Sequence, residues 1–414
     1  MPASPPRPLK IAHVVRRFAF DEWGGTETVV WNTVLNQLKQ GLTPEILTTS
    51  ALAQAGCERR DGVLIRRFRY WYPYFPLSRA AVSVLDRKGG NPYVPALFRA
   101  LKQGQYDLVH IHCGGRMAAT AAALAHRLGI PAVISLHGGC AAVPESELRQ
   151  MMAPVRGKLH YGGILDRLRR APRDAVALAD AVICISKEEQ TRLLSRHPGH
   201  RIVYLPNGVD AASFRNLPDL PVKAEWNIPE NRRLVLCISR IDYQKNQLIL
   251  LEILAHDQLA HVLLIGPVTA AWYHQKIRDR ASELGVADRL TVIPGLPPGD
   301  DRLRAALGIA DVFILPSLHE PFGIAALEAW AAGVPLISAA TGGLADFVVD
   351  GRNGLLFPPG DPARLLDCYD RLIGNAELRD QLKKQALTDV QAFNWENLTS
   401  RLRELYSELI DAGK

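Results

Sequence analysis

Short apolar runs alternate with helix-like stretches along this 414-residue chain, and the pattern occurs twice. The runs are rich in Val, Ile and Leu, and amphipathic segments lie between many of them. This βαβ alternation predicts an α/β fold in which helices cover parallel sheets. The strand candidates are 11–15, 45–49, 63–67, 108–112, 132–136, 181–186 and 201–205 in the first half, and 234–239, 262–266, 290–294, 312–316, 335–339 and 354–357 in the second.

The composition is ordinary for a soluble globular protein, with 48% hydrophobic and 22% charged residues. Prolines occupy the N-terminus where a signal peptide needs an apolar core, and no long apolar run occurs. We therefore expect neither a secretion signal nor a membrane-spanning helix. The six cysteines are far apart and form no C-x-x-C motif. They predict buried, reduced thiols and a cytoplasmic protein.

The net charge of +7 is unevenly distributed. Residues 1–209 contain 28 basic and 15 acidic residues, a net charge of +13, which leaves 21 basic and 27 acidic residues, a net −6, for 210–414. This asymmetry predicts two domains with different partners. A basic half suits an anionic membrane surface, a phosphorylated acceptor or a nucleic acid, but no nucleic-acid motif supports the last. A solvated basic surface without a partner is the alternative.

The domain boundary is expected within 206–231, where Pro, Asn and Asp favour turns. Near the C-terminus, one helical face carries an apolar stripe that needs a neighbouring element. The stripe consists of Leu398, Leu402, Leu405, Tyr406 and Leu409. The segment 68–95 is aromatic, basic and rich in proline. It predicts an irregular surface loop, either simply packed or facing an acceptor or a membrane.

The segment 319–343, HEPFGIAALEAWAAGVPLISAATGG, holds the strongest functional signal. It predicts a helix from near Gly323 to Ala332, ended by Gly333, after the strand 312–316. The N–H groups of the first helical turn attract an anion such as phosphate. Glu320 and Glu328 stand on either side of this position, and carboxylates accept hydrogen bonds from hydroxyls. A phosphate flanked by hydroxyls indicates a nucleotide-sugar. The alternative is that Glu328 caps or pairs locally and Glu320 is solvated.

Three further segments follow strands at the predicted ligand side of the sheets. The GGTETV run (24–29) opens a helix, and its glycines would let the backbone approach an anion, although it could be a tight turn. Arg240 and Lys245 in SRIDYQKN (239–246) could neutralise a diphosphate, or be solvated. His137 in SLHGG (135–139) faces the same ligand side, or is structural.

A bound metal is not expected. The chain has no D-x-D motif. His110 and His112 alternate on one strand, so both could face one side, but the sequence places no third ligand within reach. Arg240, Lys245 and the helix dipole could supply the positive charge that Mg²⁺ would otherwise bring.

Together these motifs resemble family 4 of the glycosyltransferases, retaining enzymes of the GT-B fold. The resemblance covers nearly the whole chain, and its strongest motif is E-x7-E in HEPFGIAALEAWAAG. The motifs GGTE, LHG, PNGVD, SRIDYQKN, ADVFILPS, the glycine pair 342–343 and DGRNGLLF occur in the family's order.

The resemblance implies two Rossmann-like domains facing a central cleft. An acceptor-binding domain would span 1–208 and a nucleotide-sugar-binding domain 209–392. The helix 393–414 would pack back on the first domain.

The resemblance also implies the role of each site residue. Arg240 and Lys245 would hold the diphosphate, Glu328 the ribose hydroxyls and Glu320 the donor sugar, while His137 would contact the transferred sugar. The remaining donor contacts would come from Gly24, Gly25, Phe322, Gly323, Ile324 and Ala325. Ser239 and Asn246 stand where the family commonly has glycine, which could alter the shape of the phosphate loop.

The sequence therefore predicts a retaining, metal-independent hexosyltransferase that uses a nucleoside-diphosphate donor. A uridine donor is favoured over GDP-mannose, and the acceptor is a hydroxyl of a saccharide, glycolipid or small molecule in cell-surface glycan synthesis. The alternatives are a nucleotide-sugar epimerase of the same fold and a non-catalytic nucleotide-sugar-binding scaffold. A cytoplasmic, peripheral position on the inner face of the membrane extends the hypothesis.

Overall fold

The structure, a computed structural model, describes residues 7–21, 23–138, 153–168, 174–297 and 299–412. The chain forms two compact units. The first comprises 1–206 together with 395–414, and the second comprises 207–394. Gly139 and Cys140 lie outside the described residues.

The first unit is built on an eight-stranded sheet in the order β10-β9-β7-β6-β1-β2-β4-β3. All neighbours pair in parallel except β3, which is antiparallel to β4. A separate antiparallel pair is formed by β5 and β8. The strands of this unit are β1 Lys10–Val15, β2 Thr43–Thr49, β3 Gly56–Arg60, β4 Val63–Phe68, β5 Tyr74–Phe75, β6 Leu108–Ile111, β7 Ala132–Leu136, β8 Leu159–His160, β9 Ala181–Cys184 and β10 Ile202–Tyr204.

Helices of the first unit cover both faces of its sheet. They span Gly25–Lys39, Arg79–Lys88, Pro95–Gln103, Gly115–Arg127, Gly162–Leu168, Lys187–Arg196 and Trp395–Ala412, with 3₁₀ turns at Ala153–Val155 and Val176–Leu178. Every predicted strand of this half is confirmed, because each apolar run is buried in the sheet.

The prediction of an irregular loop over 68–95 is wrong. This segment contains the helix Arg79–Lys88, whose N-terminus is capped by the side chain of Ser78. The phenols of Tyr70 and Tyr72 donate hydrogen bonds of 2.6 and 2.8 Å to Asp86 on this helix. The helix has only ten residues, half of them polar, so its apolar stripe is too brief to register in the sequence.

The C-terminal helix, Trp395–Ala412, packs on the first unit, as the fold prediction expects. Its predicted apolar stripe is buried. Leu402, Leu405, Tyr406 and Leu409 form one hydrophobic cluster with residues of the parallel sheet, namely Ile11, Leu108, Val133, Ala181 and Ile183.

The second unit has a six-stranded, fully parallel sheet in the order β13-β12-β11-β14-β15-β16. Numbered from its own first strand, this order is 3-2-1-4-5-6, the doubly wound Rossmann arrangement. The strands are β11 Arg233–Ile238, β12 Ala260–Ile265, β13 Leu290–Ile293, β14 Val312–Leu315, β15 Leu336–Ala339 and β16 Leu355–Phe357. All six predicted strands are confirmed.

Helices also surround the second sheet. They span Val222–Glu225, Leu251–His256, Ala271–Glu283, Asp301–Gly308, Ile324–Ala331, Leu344–Phe347, Pro362–Gly374 and Ala376–Asp389. The 3₁₀ turns are Ala211–Phe214, Tyr243–Lys245, Gln247–Leu250, Ala287–Arg289 and Val390–Phe393.

Two sequence expectations concern the whole chain. Within the described ranges, no helix combines the length and the apolar character that crossing a membrane requires. Among the cysteines that the structure describes, Cys184, Cys237 and Cys368 are buried and form no disulfide. The expectation of buried thiols is wrong for Cys57, which is exposed on the polar edge strand β3.

Candidate active site

The second unit brings two functional loops together at the point where its strand order reverses. One loop, 239–246, follows β11, and the other, 316–323, follows β14. These strands are neighbours, and their helical connections run to opposite sides. Ligands of doubly wound sheets bind at this position, outside the carboxyl ends of the strands. The backbone N–H of Leu318 donates to the carbonyl of Gln244 at 2.8 Å, which joins the loops directly.

A buried ion pair links the side chains of the same two loops. The ammonium of Lys245 donates to Oε2 of Glu320 at 2.6 Å, and the hydroxyl of Ser317 donates to the same oxygen at 3.2 Å. Lys245 is 9% exposed and Glu320 8% exposed. Removing one member of such a pair leaves an uncompensated charge, which costs about 3–5 kcal/mol. The pair therefore fixes the positions of both candidate residues.

The glycine pair 342–343 packs against the backbone of the loop 316–323, which contains Glu320. The N–H of Gly343 donates to the carbonyl of Glu320 at 3.1 Å. A Cβ on Gly342 would lie 2.0 Å from that carbonyl oxygen, and one on Gly343 would lie 2.5 Å from the oxygen of Pro321. Backbone passes directly over backbone here, so only glycine fits at either position.

The helix after the second loop begins and ends where the sequence predicts. It spans Ile324–Ala331, with Gly323 as its N-cap in the left-handed region at φ +93°. A Cβ on Gly323 would lie 2.5 Å from Leu344, so this position requires glycine both for conformation and for space. No side chain caps the first turn, which includes Ile324 and Ala325. The N-terminal N–H groups and the positive end of the dipole are thus available to an anion.

Phe322 lies differently from the other residues of this loop. It is 2% exposed, and its ring packs against Phe347 with centroids 5.1 Å apart. Its side chain belongs to the hydrophobic core of the unit. Any contact of Phe322 with a donor would therefore come from its backbone.

Glu328 lies on the second turn of this helix and is partly buried. Burial raises the pKa of its carboxyl from 4.5 to about 7. Among the residues that the structure describes, none forms a hydrogen bond or ion pair with this side chain. A carboxylate that is partly desolvated and lacks a partner is suited to accept hydrogen bonds from ligand hydroxyls.

Arg240, the second cation of the loop 239–246, is not buried like Lys245. Arg240 is exposed, and its carbonyl accepts a hydrogen bond of 2.7 Å from Gln247. Asn246 adopts the left-handed region at φ +52°, which Asn tolerates better than most residues. Asn therefore serves here in place of the glycine common in the family. Ser239 Oγ accepts a hydrogen bond of 2.9 Å from Gln247.

The predicted glycine motif of the first unit also opens a helix. Gly24 is the N-cap of Gly25–Lys39, and no side chain caps this end. The Gly24 carbonyl accepts from the N–H of Thr28 at 3.0 Å. A Cβ on Gly25 would have no atom within 4 Å, so open space lies beside it. Glu27 in the first turn pairs with Arg17 at 2.9 Å.

His137 follows β7 in the first unit and joins a group of buried histidines. Its Nε2 lies 3.2 Å from Nδ1 of His112, and Nε2 of His112 lies 2.9 Å from Nδ1 of His13. Burial lowers the pKa of His137 to about 4. Nδ1 of His137 is buried and has no hydrogen-bond partner among the residues that the structure describes.

Three of these histidines have the proximity of a metal site. They are His110, His112 and His13, which lies on the neighbouring strand and which the sequence did not indicate as a third ligand. One ring nitrogen of each lies within 4.8 Å of those of the others. Yet each of their six ring nitrogens already faces a hydrogen-bonding partner within the described structure. The arrangement is a hydrogen-bonded network.

Sequence reasoning also missed the residues that hold the site together. Ser317 and the pairing of Lys245 with Glu320 bridge two loops that are 75 positions apart. The histidine network depends on His13 and on Tyr406 of the C-terminal helix. The sequence signals members of this network through the H-x-H pattern at 110–112 and through His137 in SLHGG, but it does not indicate that they are connected.

Both units match known glycosyltransferase families. Residues 23–213 match the profile described as "Glycosyltransferase Family 4", and residues 221–389 match "Glycosyl transferases group 1". The D-inositol 3-phosphate glycosyltransferase of Acidothermus cellulolyticus is 30% identical over 74% of this chain and 68% of the relative. The protein of the same name from Nocardioides sp. is 28% identical over 92% of this chain and 85% of the relative.

Solved structures show the same fold. Sucrose-phosphate synthase from Thermosynechococcus elongatus superimposes with a TM-score of 0.73 at 22% identity, covering 98% of this chain and 100% of that chain. The Anabaena protein Alr3699/HepE, solved with UDP and glucose, gives a TM-score of 0.71 at 19% identity, covering 97% and 100%.

Two Rossmann-like units, with the loop arrangement described above in the second, define a glycosyltransferase of the GT-B fold. The chain belongs to glycosyltransferase family 4, whose members retain the anomeric configuration of the donor.

Proposed function

We propose that this glycosyltransferase moves a hexose-type sugar from a nucleoside diphosphate to an acceptor hydroxyl without a metal ion. The observation that carries the proposal is the joining of loops 239–246 and 316–323 by the Lys245–Glu320 pair. This pair stands beside the uncapped helix N-terminus at Gly323. The site thus combines an anion seat, two cations and two carboxylates.

The diphosphate, the ribose and the sugar of the donor each have a matching group in the second unit. The diphosphate lies at the N–H groups of the Ile324–Ala331 helix, with Arg240 exposed for a charge-assisted hydrogen bond. The ribose hydroxyls donate to the unpartnered carboxylate of Glu328. The sugar lies against Glu320. Since the ammonium of Lys245 donates to Glu320, it must be shared between this carboxylate and a phosphate oxygen when it holds the diphosphate.

In the proposed reaction the acceptor hydroxyl attacks the anomeric carbon from the face that the diphosphate leaves. The departing diphosphate takes the acceptor proton as the glycosidic bond forms. Arg240, Lys245 and the helix dipole stabilise the negative charge that grows on the leaving group. Glu320 orients the sugar, and His137 contacts it. These groups supply positive charge that Mg²⁺ would otherwise bring, which supports a metal-independent mechanism.

Comparison with relatives informs the choice of substrates. The Anabaena protein Alr3699/HepE has been solved with UDP and with UDP-glucose, which supports a uridine donor over GDP-mannose. The curated relatives named D-inositol 3-phosphate glycosyltransferase place a phosphorylated polyol beside saccharides and glycolipids among the acceptors to test. The product would enter a cell-surface glycan or glycoconjugate.

Thermal unfolding with UDP, GDP and ADP tests the proposed donor site, each nucleotide with Mg²⁺ and with EDTA. A nucleotide at 100 times its dissociation constant stabilises the folded state by about 2.7 kcal/mol. We expect UDP to raise the melting temperature equally under both conditions. An increase that requires Mg²⁺ would contradict metal independence. No increase with any nucleotide would remove the support for the donor site.

We also propose that the first unit contacts an anionic membrane surface. Phe75 and Leu159 pair across the two-stranded β5–β8 ribbon, and each is 66% exposed. The side chains of Arg156 and Lys158, just before the strand Leu159–His160, are also exposed. Exposed apolar side chains beside basic ones suit the interface of an anionic bilayer.

Flotation with anionic and neutral liposomes, at low and high salt, tests this contact. We expect binding to anionic liposomes at low salt, and loss of binding in Leu159→Ser. The matched control is Leu259→Ser, because Leu259 is also exposed, at 47%, but lies in the second unit. The absence of binding at low salt, or equal loss in both variants, would contradict the proposal.

A further inference from the structure

The buried network behind His137 forms a continuous line of hydrogen-bonding partners. It begins at Gln37, whose Oε1 lies 2.8 Å from Nε2 of His13. It continues from Nδ1 of His13 to His112 over 2.9 Å, and from His112 to Nε2 of His137 over 3.2 Å. The line ends at Nδ1 of His137, which is buried and has no partner within the described ranges of the chain.

All the imidazoles in this line are neutral near pH 7. Burial lowers the pKa of His13 and of His137 to about 4, and the pKa of His112 well below its ordinary value. A neutral imidazole carries one proton, so one ring nitrogen donates and the other accepts. The direction of the first hydrogen bond therefore determines the tautomer of every later ring.

The amide of Gln37 sets that direction. Its Nε2 donates to the hydroxyl of Tyr406 at 3.4 Å, which leaves Oε1 to accept from Nε2–H of His13. Nδ1 of His13 then accepts from Nε2–H of His112, and Nδ1 of His112 accepts from Nε2–H of His137. Nδ1 of His137 is left with a free lone pair.

The opposite direction would be less favourable. It would end in a buried Nδ1–H of His137 without an acceptor. Buried N–H groups without a partner are rarer in proteins than acceptors without one. The second branch fits the first direction as well: Tyr406 donates to Nδ1 of His110 at 2.5 Å, and Nε2–H of His110 donates to Ser135 at 2.7 Å.

We propose that Gln37, His13 and His112 are positioning residues that hold His137 in its Nε2–H tautomer, so that Nδ1 accepts a hydrogen bond from a sugar hydroxyl. The sugar contact rests on the proposed function, whereas the tautomer does not. His137 then selects substrates that present an O–H group and rejects those in which that hydroxyl cannot donate.

Nitrogen-15 NMR of the full chain, labelled at histidine and free of substrate, tests the tautomer directly. The signals of His137 are identified by their loss in His137→Asn. We expect a protonated Nε2 and an unprotonated Nδ1 in the parent protein. A protonated Nδ1, or an imidazolium, at neutral pH would overturn the assignment. This result is independent of any transferase activity.

Two substitutions of His112 test whether the network is the cause. In His112→Leu, His137 loses its acceptor, so we expect a mixture of tautomers. In His112→Asn, the amide oxygen lies near the former Nδ1, so we expect the Nε2–H tautomer to return. The parent signal persisting in His112→Leu would overturn the proposal. Circular dichroism shows whether His112→Leu folds. If it does not fold, Gln37→Leu takes its place. This substitution removes the acceptor of His13 and should also give a mixture of tautomers.

Donor analogues test the hydroxyl contact once transfer is measured. For each sugar hydroxyl, the deoxy and deoxyfluoro analogues are compared, because fluorine cannot donate a hydrogen bond. At the hydroxyl that meets His137, we expect both analogues to lower kcat/KM about tenfold, the value of one buried hydrogen bond. In His137→Ala both analogues should equal the normal donor. The opposite result is a hydroxyl at which the deoxy analogue lowers kcat/KM only when His137 is present, while the deoxyfluoro analogue reacts like the normal donor. It would show that His137 donates the hydrogen bond, and it would overturn the proposal.

Discussion

The substitution Glu328→Gln should stabilise the ligand-free protein at alkaline pH and weaken donor binding at the same time. Burial raises the pKa of Glu328 from 4.5 to about 7, and within the described part of the chain no partner compensates the ionised carboxylate. Glutamine has nearly the same shape but does not ionise. The variant therefore avoids the unfavourable free energy of burying an ionised carboxylate.

The sign and size of the effect follow from proton linkage. Because the pKa of Glu328 is raised on folding, its favourable contribution is complete below about pH 4.5 and is lost as the pH rises through about 7. The difference between these pKa values corresponds to about 3 kcal/mol above pH 8. At pH 5 the loss of unfolding free energy caused by the raised pKa is less than about 1 kcal/mol. The free energy of unfolding of Glu328→Gln should therefore exceed that of the parent by up to about 3 kcal/mol at pH 8.

Urea unfolding of parent and variant at pH 5 and pH 8 measures the stability, and calorimetric titration with the donor nucleotide measures the affinity. An amide oxygen accepts a weaker hydrogen bond than a carboxylate, so we expect about a tenfold rise in Kd. The control is Glu404→Gln, since Glu404 is exposed and should change neither quantity. A variant no more stable than the parent at pH 8, or one that binds the nucleotide equally well, would refute the reasoning.

Three other predictions follow from the packing. Lys245→Ala leaves the carboxylate of Glu320 unpaired, so chemical unfolding should show a loss of about 3–5 kcal/mol, and steady-state kinetics should show a larger fall in turnover than in donor affinity. Gly343→Ala places a Cβ 2.5 Å from a backbone oxygen of the donor loop, so calorimetry should show at least about tenfold weaker nucleotide binding. The exposed Gly374, which has nothing within 4 Å, provides the control Gly374→Ala. Tyr406→Phe removes a buried hydroxyl with two partners and should cost about 1–3 kcal/mol in urea unfolding. Unchanged stability, or equal binding by both glycine variants, would contradict these expectations.

The sequence predicts the strands well because burial in a parallel sheet demands continuous apolar runs. Each such run is a strand, and the E-x7-E segment also predicts its helix from the glycine limits. The edge strand Gly56–Arg60 escapes prediction because its side chains are mostly polar and exposed. The helix Arg79–Lys88 is hidden among aromatic and proline residues that elsewhere indicate a loop.

The candidate site is less predictable than the fold, because its contacts join distant parts of the chain. Sequence spacing places Glu320 and Lys245 on two separate loops, but only the order of the strands brings them within 2.6 Å. The environment of His137 is similarly hidden. Its network depends on the parallel register of His13 with His110 and on a tyrosine of the C-terminal helix.

The most direct test of the account is the fate of the sugar. The protein is incubated with UDP-glucose, or another nucleotide-sugar that stabilises it, in EDTA, with and without acceptors that include D-inositol 3-phosphate and simple saccharides. Proton NMR then follows the nucleotide and the anomeric centre. The account predicts nucleoside diphosphate release that depends on the acceptor and a product with the anomeric configuration of the donor. An inverted product, or a donor sugar epimerised without any acceptor, would contradict it.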